Sequence, residues 1–134
     1  MPYIKVYEVA TFYSMYNLSP VGKYFFQVCT TTPCMLRGAY DLVKVCKNKI
    51  SEKENVLSND GKISWMEVEC LGACVNAPMM QVNEDYYEDL NDKKLEEIIE
   101  TINKNKIPKP GSYSGRINAE PVNNRKTLLG NKNA

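Results

Sequence analysis

Four of the five cysteines fall into two closely spaced pairs, and these pairs are the residues best suited to chemistry. Cys29 and Cys34 are separated by four residues, and Cys70 and Cys74 by three. Four convergent thiolates hold either zinc or an iron–sulfur cluster, because both bind sulfur well. The chain contains no histidine, which excludes catalytic dyads or triads and metal sites that depend on imidazole.

The predicted secondary structure brings the two pairs together. Residues 24–29 and 63–69 are rich in strand-forming side chains, and a helical pattern lies between them. Each cysteine pair begins where one of these strands ends. In a β-α-β unit the strands are parallel, so both ends lie at the same edge of the sheet. We therefore expect all four sulfurs to converge.

The residues around the cysteines suit a cluster. Cys34 is expected in the first turn of a helix, where free amides and the helix dipole favour a thiolate. Three threonines at 30–32 offer donors to sulfur, and Gly72 allows the backbone to aim an amide at the site. Spacings of four and three residues spread the sulfurs more widely than the tight turns of zinc sites. This argument favours iron and leaves a structural zinc site as the alternative.

Three further positions carry separate expectations. Cys46 has no nearby partner and lies on an apolar helix face, so we interpret it as a buried structural residue. Arg37 either places a positive charge near the site or only solvates a helix surface. The Ala77–Pro78 bond is expected to be cis.

The odd number of cysteines and the lack of a visible secretory signal favour the cytoplasm or an organellar matrix.

The elements that position these residues are predicted in the order helix, β-α-β, then β-β-α. The first helix covers 6–17 and is apolar on most sides, which is typical of a helix buried in its own chain or against a partner. The predicted elements are a strand at 24–29, a helix at 34–49 capped by Thr32 with Pro33 following, a strand at 63–69, a hairpin of 79–83 and 86–88 across Glu84-Asp85, and a helix at 92–103. The helix at 34–49 is expected to bury Leu36, Ala39, Tyr40, Val43, Cys46 and Ile50.

This order predicts a mixed α/β fold of the thioredoxin-like kind, a small mixed sheet covered by helices. We divide the chain into an N-terminal helix and loop (1–20), the main domain (21–104) and an extended C-terminal arm (105–134). The arm is basic: Lys106, Lys109, Arg116, Arg125, Lys126 and Lys132 stand against Glu120 alone. It is interpreted as a solvated end or as a segment that wraps a partner.

Composition excludes several classes of protein. The chain has 134 residues, of which 43% are hydrophobic and 25% are charged, so it can bury a core. Its net charge of +1 does not indicate a nucleic-acid-binding protein. It lacks an apolar run long enough to cross a bilayer, so we expect no direct membrane insertion.

Five stretches of the chain resemble one known family. They are VYEVATFY (6–13), VCTTTPCMLR (28–37), VECLGACVNAPM (68–79), YYEDL (86–90) and IPKPG (107–111). These closely resemble the thioredoxin-like [2Fe–2S] ferredoxin subunit of respiratory complex I, NADH:ubiquinone oxidoreductase. The likeness covers about residues 3–122.

The resemblance implies a function for the cysteines. Cys29, Cys34, Cys70 and Cys74 would bind one [2Fe–2S] cluster. The subunit would lie against the subunit that binds FMN and NADH, exchange one electron with its flavin off the main chain of clusters, and belong to an oxidoreductase without turning over alone. In mitochondria it would be peripheral on the matrix side of the inner membrane, and in bacteria on the cytoplasmic side of the plasma membrane. Related subunits serve NAD-linked hydrogenases and formate dehydrogenases, which remain alternatives.

Overall fold

A five-stranded mixed sheet forms the centre of the protein, whose computed structural model describes residues 1–123. The sheet order is β2-β1-β3-β4-β5. The elements are α1 (Tyr3–Phe12), β1 (Tyr24–Cys29), α2 (Thr32–Leu36), α3 (Ala39–Lys49), β2 (Ile63–Val68), a 3-10 turn (Cys74–Asn76), β3 (Met80–Val82), β4 (Asp85–Glu88), α4 (Asp92–Asn103) and β5 (Gly111–Ser112). The predicted α/β class and the thioredoxin-like order of elements are confirmed.

The β-α-β unit has the register that the cysteine argument requires. Strands β1 and β2 are parallel, and Cys29 at the end of β1 lies opposite Val68 at the end of β2. Strand β3 runs antiparallel on the other side of β1, with Met80 opposite Val28. Both cysteine-bearing loops therefore leave the sheet at the same edge, as the sequence predicts.

The main core lies between the sheet and the helices α3 and α4. Its largest fully buried side chains include Trp65, Phe26 and Tyr87. Helix α4 buries the predicted face of Leu95, Ile98, Ile99 and Ile102, which follows from the spacing of its aliphatic residues. The indole nitrogen of Trp65 donates to the carbonyl of Ser51 at 2.9 Å, so the buried donor is satisfied.

The predicted single helix at 34–49 is wrong, because the structure contains two helices. Gly38 adopts a φ of 99°, a left-handed conformation that interrupts the helical run between α2 and α3. The first helix begins at Thr32, and its cap is Thr31, one residue before the predicted cap Thr32. Because the two helices do not share one face, Leu36 on the first helix and Tyr40 on the second are exposed against the prediction. The other predicted positions are buried, namely Ala39, Val43, Cys46 and Ile50.

Helix α1 ends earlier than predicted and buries none of its residues. The helix stops at Phe12, and the backbone of the following Tyr13 is extended. The helix does not continue through the next residues because Ser14 and Asn17 are weak helix formers. Tyr3 and Phe12 are each 80% exposed. Of the two predicted fates for this apolar helix, burial within its own chain is wrong for the described residues.

The hairpin is shifted slightly from its predicted position. Val82 pairs with Asp85, so the turn is Asn83-Glu84 and not Glu84-Asp85. Asn83 takes the positive φ, 54°, that such a turn needs. No helix among residues 1–123 is long and apolar enough to cross a membrane.

Part of the segment predicted as an arm adds a strand to the sheet. Strand β5 pairs with β4 in parallel, with Gly111 opposite Tyr87. The hydroxyl of Tyr87 donates to the carbonyl of Pro108 at 3.2 Å. The boundaries of the predicted arm stay a prediction, and its basic residues Arg125, Lys126 and Lys132 lie outside the described part of the chain.

Candidate metal centre

The first cysteine pair is built into a small core of its own. Cys29 is the last residue of β1 and Cys34 lies in α2, and each is 1% exposed. They pack with Ala39, Ala77 and Met79, and the Cys29 amide donates to the Met79 carbonyl at 3.3 Å. The core therefore fixes the position of both sulfurs.

The second cysteine pair lies at the surface. Cys70 and Cys74 are exposed, and their sulfur atoms are 3.3 Å apart. The loop that carries them is held by the Tyr86 hydroxyl, which donates to the Leu71 carbonyl at 2.7 Å. The Ala77–Pro78 bond that follows is cis, as predicted.

Electrostatic coupling indicates that the four sulfurs converge. The pKa of Cys34 is raised to about 12, mainly by burial, with smaller contributions from its hydrogen bond with Cys29 and from the charges of Cys29 and Cys74. The hydrogen bond with Cys70 is the main cause of the raised pKa of Cys74, and the charge of Cys29 adds to it. These charge interactions indicate that the two loops lie on the same side of the protein.

No single-ion site is formed by these groups. Among residues 1–123, no three His, Cys, Asp or Glu side chains are grouped as one metal ion would require. A mononuclear zinc site needs its ligands around a single centre, whereas a two-iron cluster distributes four cysteines over two irons.

The predicted donors to sulfur are present in part. The hydroxyl of Thr31 lies 3.3 Å from the sulfur of Cys29. Although burial acts to raise the pKa of Cys29, hydrogen bonds from Thr31 and Cys34 outweigh it and lower that pKa. The Gly72 amide donates to the sulfur of Cys70 at 3.4 Å and is the main reason that the pKa of Cys70 is lowered. Gly72 has a φ of 85°, which confirms the special backbone expected there.

The expectation for Cys34 is wrong in direction. The helix that contains it has only five residues, and burial dominates, so its pKa rises to about 12. The thiol is therefore neutral until a metal or another cation displaces its proton.

The structure also places Cys46 and Arg37, for which the sequence carried separate expectations. Cys46 is completely buried on α3, as predicted, and burial raises its pKa to about 12. Arg37 is exposed at the end of α2, with its Nε 3.5 Å from the carbonyl of Ala77. That weak contact joins the two cysteine-bearing segments, and an effect of its charge on the site stays a prediction.

Sequence reasoning missed the role of three residues in or beside the Cys74–Asn76 turn. Arg116 donates to the carbonyl of Val75 at 2.9 Å. Asn76 is 4% exposed and donates to Glu88 and to the carbonyl of Asn118. Asp89 holds Arg116 in an ion pair. Asn76 and Asp89 lie in stretches that carry the family resemblance, but no role was predicted for them, because their partners are distant in sequence.

Comparison with known proteins identifies the family. Residues 1–103 match the thioredoxin-like [2Fe-2S] ferredoxin family. The chain belongs to this family. Relatives named as a subunit of NADH-quinone oxidoreductase are 62% identical over 100 residues in Rickettsia typhi and 59% over 102 in Rickettsia bellii, covering 75% and 76% of this chain. These alignments cover 59% and 61% of the relatives, so the chain spans about three fifths of their length.

Two solved structures share the fold. The thioredoxin-like [2Fe-2S] ferredoxin from Aquifex aeolicus superposes with a TM-score of 0.52 at 20% identity, covering 63% of this chain and 89% of that one. An NAD+-reducing [NiFe]-hydrogenase chain gives 0.67 at 18% identity over 81% of this chain and 18% of its own. At these identities the likeness concerns architecture alone.

Proposed function

We propose that this chain is a [2Fe–2S] electron-transfer subunit of an NADH–quinone oxidoreductase. The observation that carries the proposal is that both cysteine-bearing loops leave the sheet at one edge, where the parallel strands β1 and β2 end. Two of these thiols are buried and two are exposed, so a cluster held here would be anchored on one side and accessible to a redox partner on the other. The names of the relatives support the assembly.

The ligands would be Cys29, Cys34, Cys70 and Cys74. Their chemistry fits the group: all four are thiols that could bind iron, and the pKa values of Cys29 and Cys70 are already lowered by hydrogen bonds. The spacings of four and three residues within the cysteine pairs spread the sulfurs more widely than the tight turns of a zinc site, which supports two irons over a single zinc ion. A structural zinc module is the weaker alternative.

The cluster would supply the redox chemistry, and the chain's residues would tune it. Thr31 and Gly72 place donors against Cys29 and Cys70. Reduction adds a negative charge at the site, and donors to sulfur stabilise that charge and raise the potential. No side chain here is needed for bond making.

The inferred partner is the subunit that binds FMN and NADH, together with other subunits of the complex. The exposed apolar residues of α1, including Tyr3 and Phe12, support a protein contact at this helix, since contiguous exposed apolar patches often mark interaction sites. The proposed location is the peripheral part of the complex. The relatives are bacterial, which favours the cytoplasmic side of the plasma membrane, and a mitochondrial location stays a prediction.

An NAD-linked hydrogenase subunit is the second candidate. Its support is the shared architecture with the hydrogenase chain, at a TM-score of 0.67. The identity of 62% to an NADH-quinone oxidoreductase subunit, against 18% to the hydrogenase, favours the first assembly. A formate dehydrogenase subunit stays a further prediction from the resemblance.

Anaerobic purification followed by visible absorption and low-temperature EPR tests the proposal. A brown protein that bleaches with dithionite and then gives a rhombic spin-half signal is expected. A colourless chain with one tightly held zinc would contradict it. Affinity capture with the flavin-binding subunit of an NADH–quinone oxidoreductase, against that of an NAD-linked hydrogenase, then separates the two assemblies.

A further inference from the structure

The Cys74–Asn76 turn is held from two sides. On one side the backbone amide of Asp89 donates to the carbonyl of Asn76 at 2.8 Å. On the other side, residues 111–120 reach over the turn. Within that segment Arg116 donates to the carbonyl of Val75 at 2.9 Å, and the carbonyl of Asn118 accepts from the Asn76 side chain at 2.9 Å.

Arg116 is the centre of this arrangement. Its side chain is 7% exposed and pairs with Asp89, which is 8% exposed, through both Nε and Nη2. Its Nη1 donates to the carbonyl of Glu120 at 3.0 Å. The planar guanidinium therefore serves a carboxylate and two carbonyls at once, which a lysine ammonium cannot reproduce.

Asp89 is itself fixed in place. The hydroxyls of Ser112 and Ser114 donate to its Oδ2 at 2.6 and 3.0 Å. Its φ of 54° is unusual for a residue other than glycine. This backbone aims the amide at Asn76 while the carboxylate receives Arg116, so one residue joins both sides of the turn.

Polar contacts are important for this turn because an open cleft separates part of it from the 111–120 segment. The cleft has a volume of about 460 Å³ and is lined by Val75, Asn76 and Asn118 among others. Asn76 is buried, yet within the described residues its Oδ1 has no hydrogen-bond partner. The turn is thus positioned mainly by hydrogen bonds and the ion pair.

We propose that residues 111–120 form a clamp that fixes Cys74 for cluster binding, with Arg116 as its positioning residue. The inference rests on the proposed function, because it assigns the clamp to one of the proposed ligands. Cys74 needs such a device because it is exposed and lies outside the small core that holds Cys29 and Cys34. The carbonyl that Arg116 binds belongs to Val75, the next residue after Cys74.

Amide hydrogen exchange and EPR on the full chain test the clamp. The amides of Asn76 and Ala77 donate within the turn, to Ala73 and Cys74, so their exchange reports its opening. In Arg116→Gln we expect exchange at these amides to be faster by about tenfold or more, which corresponds to ~1.4 kcal/mol. The g-values of the reduced cluster are expected to shift, and a chelator is expected to remove iron faster. The matched control is Lys109→Gln, since Lys109 is exposed and has no side-chain hydrogen bond among residues 1–123.

A double variant separates positioning from the cost of a buried charge. Arg116→Gln alone leaves Asp89 buried without its partner, which destabilises any fold. Asp89→Asn combined with Arg116→Gln removes both charges. If it regains thermal stability but still shows fast exchange and altered g-values, the clamp is supported. If the double variant restores the exchange rates and the g-values to wild-type values, the inference is overturned. It is also overturned if Arg116→Gln changes neither the exchange rates nor the g-values.

The clamp and the proposed function fail in different ways. A wild-type chain that binds no iron would contradict the proposed function. In that case exchange at Asn76 and Ala77 in the metal-free chain would still decide whether the clamp holds the turn. If the wild-type chain binds a normal cluster but Arg116→Gln leaves exchange at Asn76 and Ala77 unchanged, only the clamp is contradicted.

Discussion

The two halves of the candidate site are constructed differently. Cys29 and Cys34 are 1% exposed and belong to a small apolar core between the sheet edge and α3. Cys70 and Cys74 are exposed and are placed by a loop that hydrogen bonds secure. Packing fixes atoms without directional partners, whereas a surface loop needs specific donors and acceptors. One half is therefore preformed by the fold, and the other depends on distant residues such as Tyr86 and Arg116.

The largest effect is expected when one cysteine of each pair is replaced. Cys34→Ala and Cys70→Ala should both abolish the cluster, because each removes a thiolate ligand. In metal-free protein the two should differ. Cys34→Ala should lower the free energy of unfolding by about 1 kcal/mol or more, because it empties a buried position, while Cys70→Ala should stay within about 0.5 kcal/mol.

Visible absorption and urea unfolding measure these effects. If Cys70→Ala retains a wild-type visible spectrum, the ligand assignment is wrong. If the two metal-free variants are equally destabilised, the contrast between a buried and an exposed half is wrong. Loss of the cluster should also destabilise the loaded chain, since metal binding contributes to folding.

Thiol alkylation should separate the halves by rate. In metal-free protein treated with iodoacetamide, Cys70 should react first, because it is exposed and the Gly72 amide lowers its pKa. Cys74 should follow, since its hydrogen bond with Cys70 raises its pKa. Cys34 should stay protected, as burial raises its pKa to about 12. The order is read by peptide mass spectrometry.

The control for alkylation is the same reaction in concentrated urea. There all five cysteines should react at similar rates, because unfolding removes their different environments. Protection of Cys70 in the native chain, or reaction of Cys34 at the rate of Cys70, would contradict the structural contrast.

Cys46→Ser tests whether the fifth cysteine belongs to either half. The substitution places a hydroxyl in a completely buried site on α3, so we expect a loss of about 1–3 kcal/mol in the free energy of unfolding. The cluster should be retained at wild-type stoichiometry. Iron content and visible absorption check this expectation, and a variant that folds but holds no iron would mean that the ligand set is misassigned.

The smallest expected effect concerns pH and the exposed half. Burial acts to raise the pKa of Asp89, but hydrogen bonds from Arg116, Ser112 and Ser114 outweigh it and lower that pKa. A carboxylate with a lowered folded-state pKa stabilises the fold above its unfolded pKa of about 3.9, and that contribution is lost as the pH falls through the folded value. Urea unfolding from pH 7 to acid should show this loss.

Asp89→Asn is the reference for the pH series. The variant should be less stable than the wild type at pH 7, because Arg116 loses its charged partner. The difference between the two proteins should shrink as the pH falls below about 4. A difference that is constant across this range would show that Asp89 does not titrate with folding.

Local patterns in the sequence predicted much of the fold. The aliphatic spacing of Leu95, Ile98, Ile99 and Ile102 determined α4 and its buried face. Strand-forming residues followed by paired cysteines predicted β1, β2 and the edge at which the sulfurs meet. These predictions succeeded because periodicity and strand direction depend on neighbouring residues in the chain.

Tertiary contacts decided the rest. Gly38 divides the helix after Cys34 because the chain adopts a left-handed conformation there, and burial raises the pKa of Cys34 despite its place in a helix. Arg116 finds Asp89 and Val75 across 27 and 41 residues of sequence. By itself the sequence determined which sulfurs could meet, because the order of strands and helices along the chain is read from local patterns. Only the folded chain decided which sulfurs are buried and what holds the exposed ones, because burial and long-range ion pairs depend on residues brought together from distant segments.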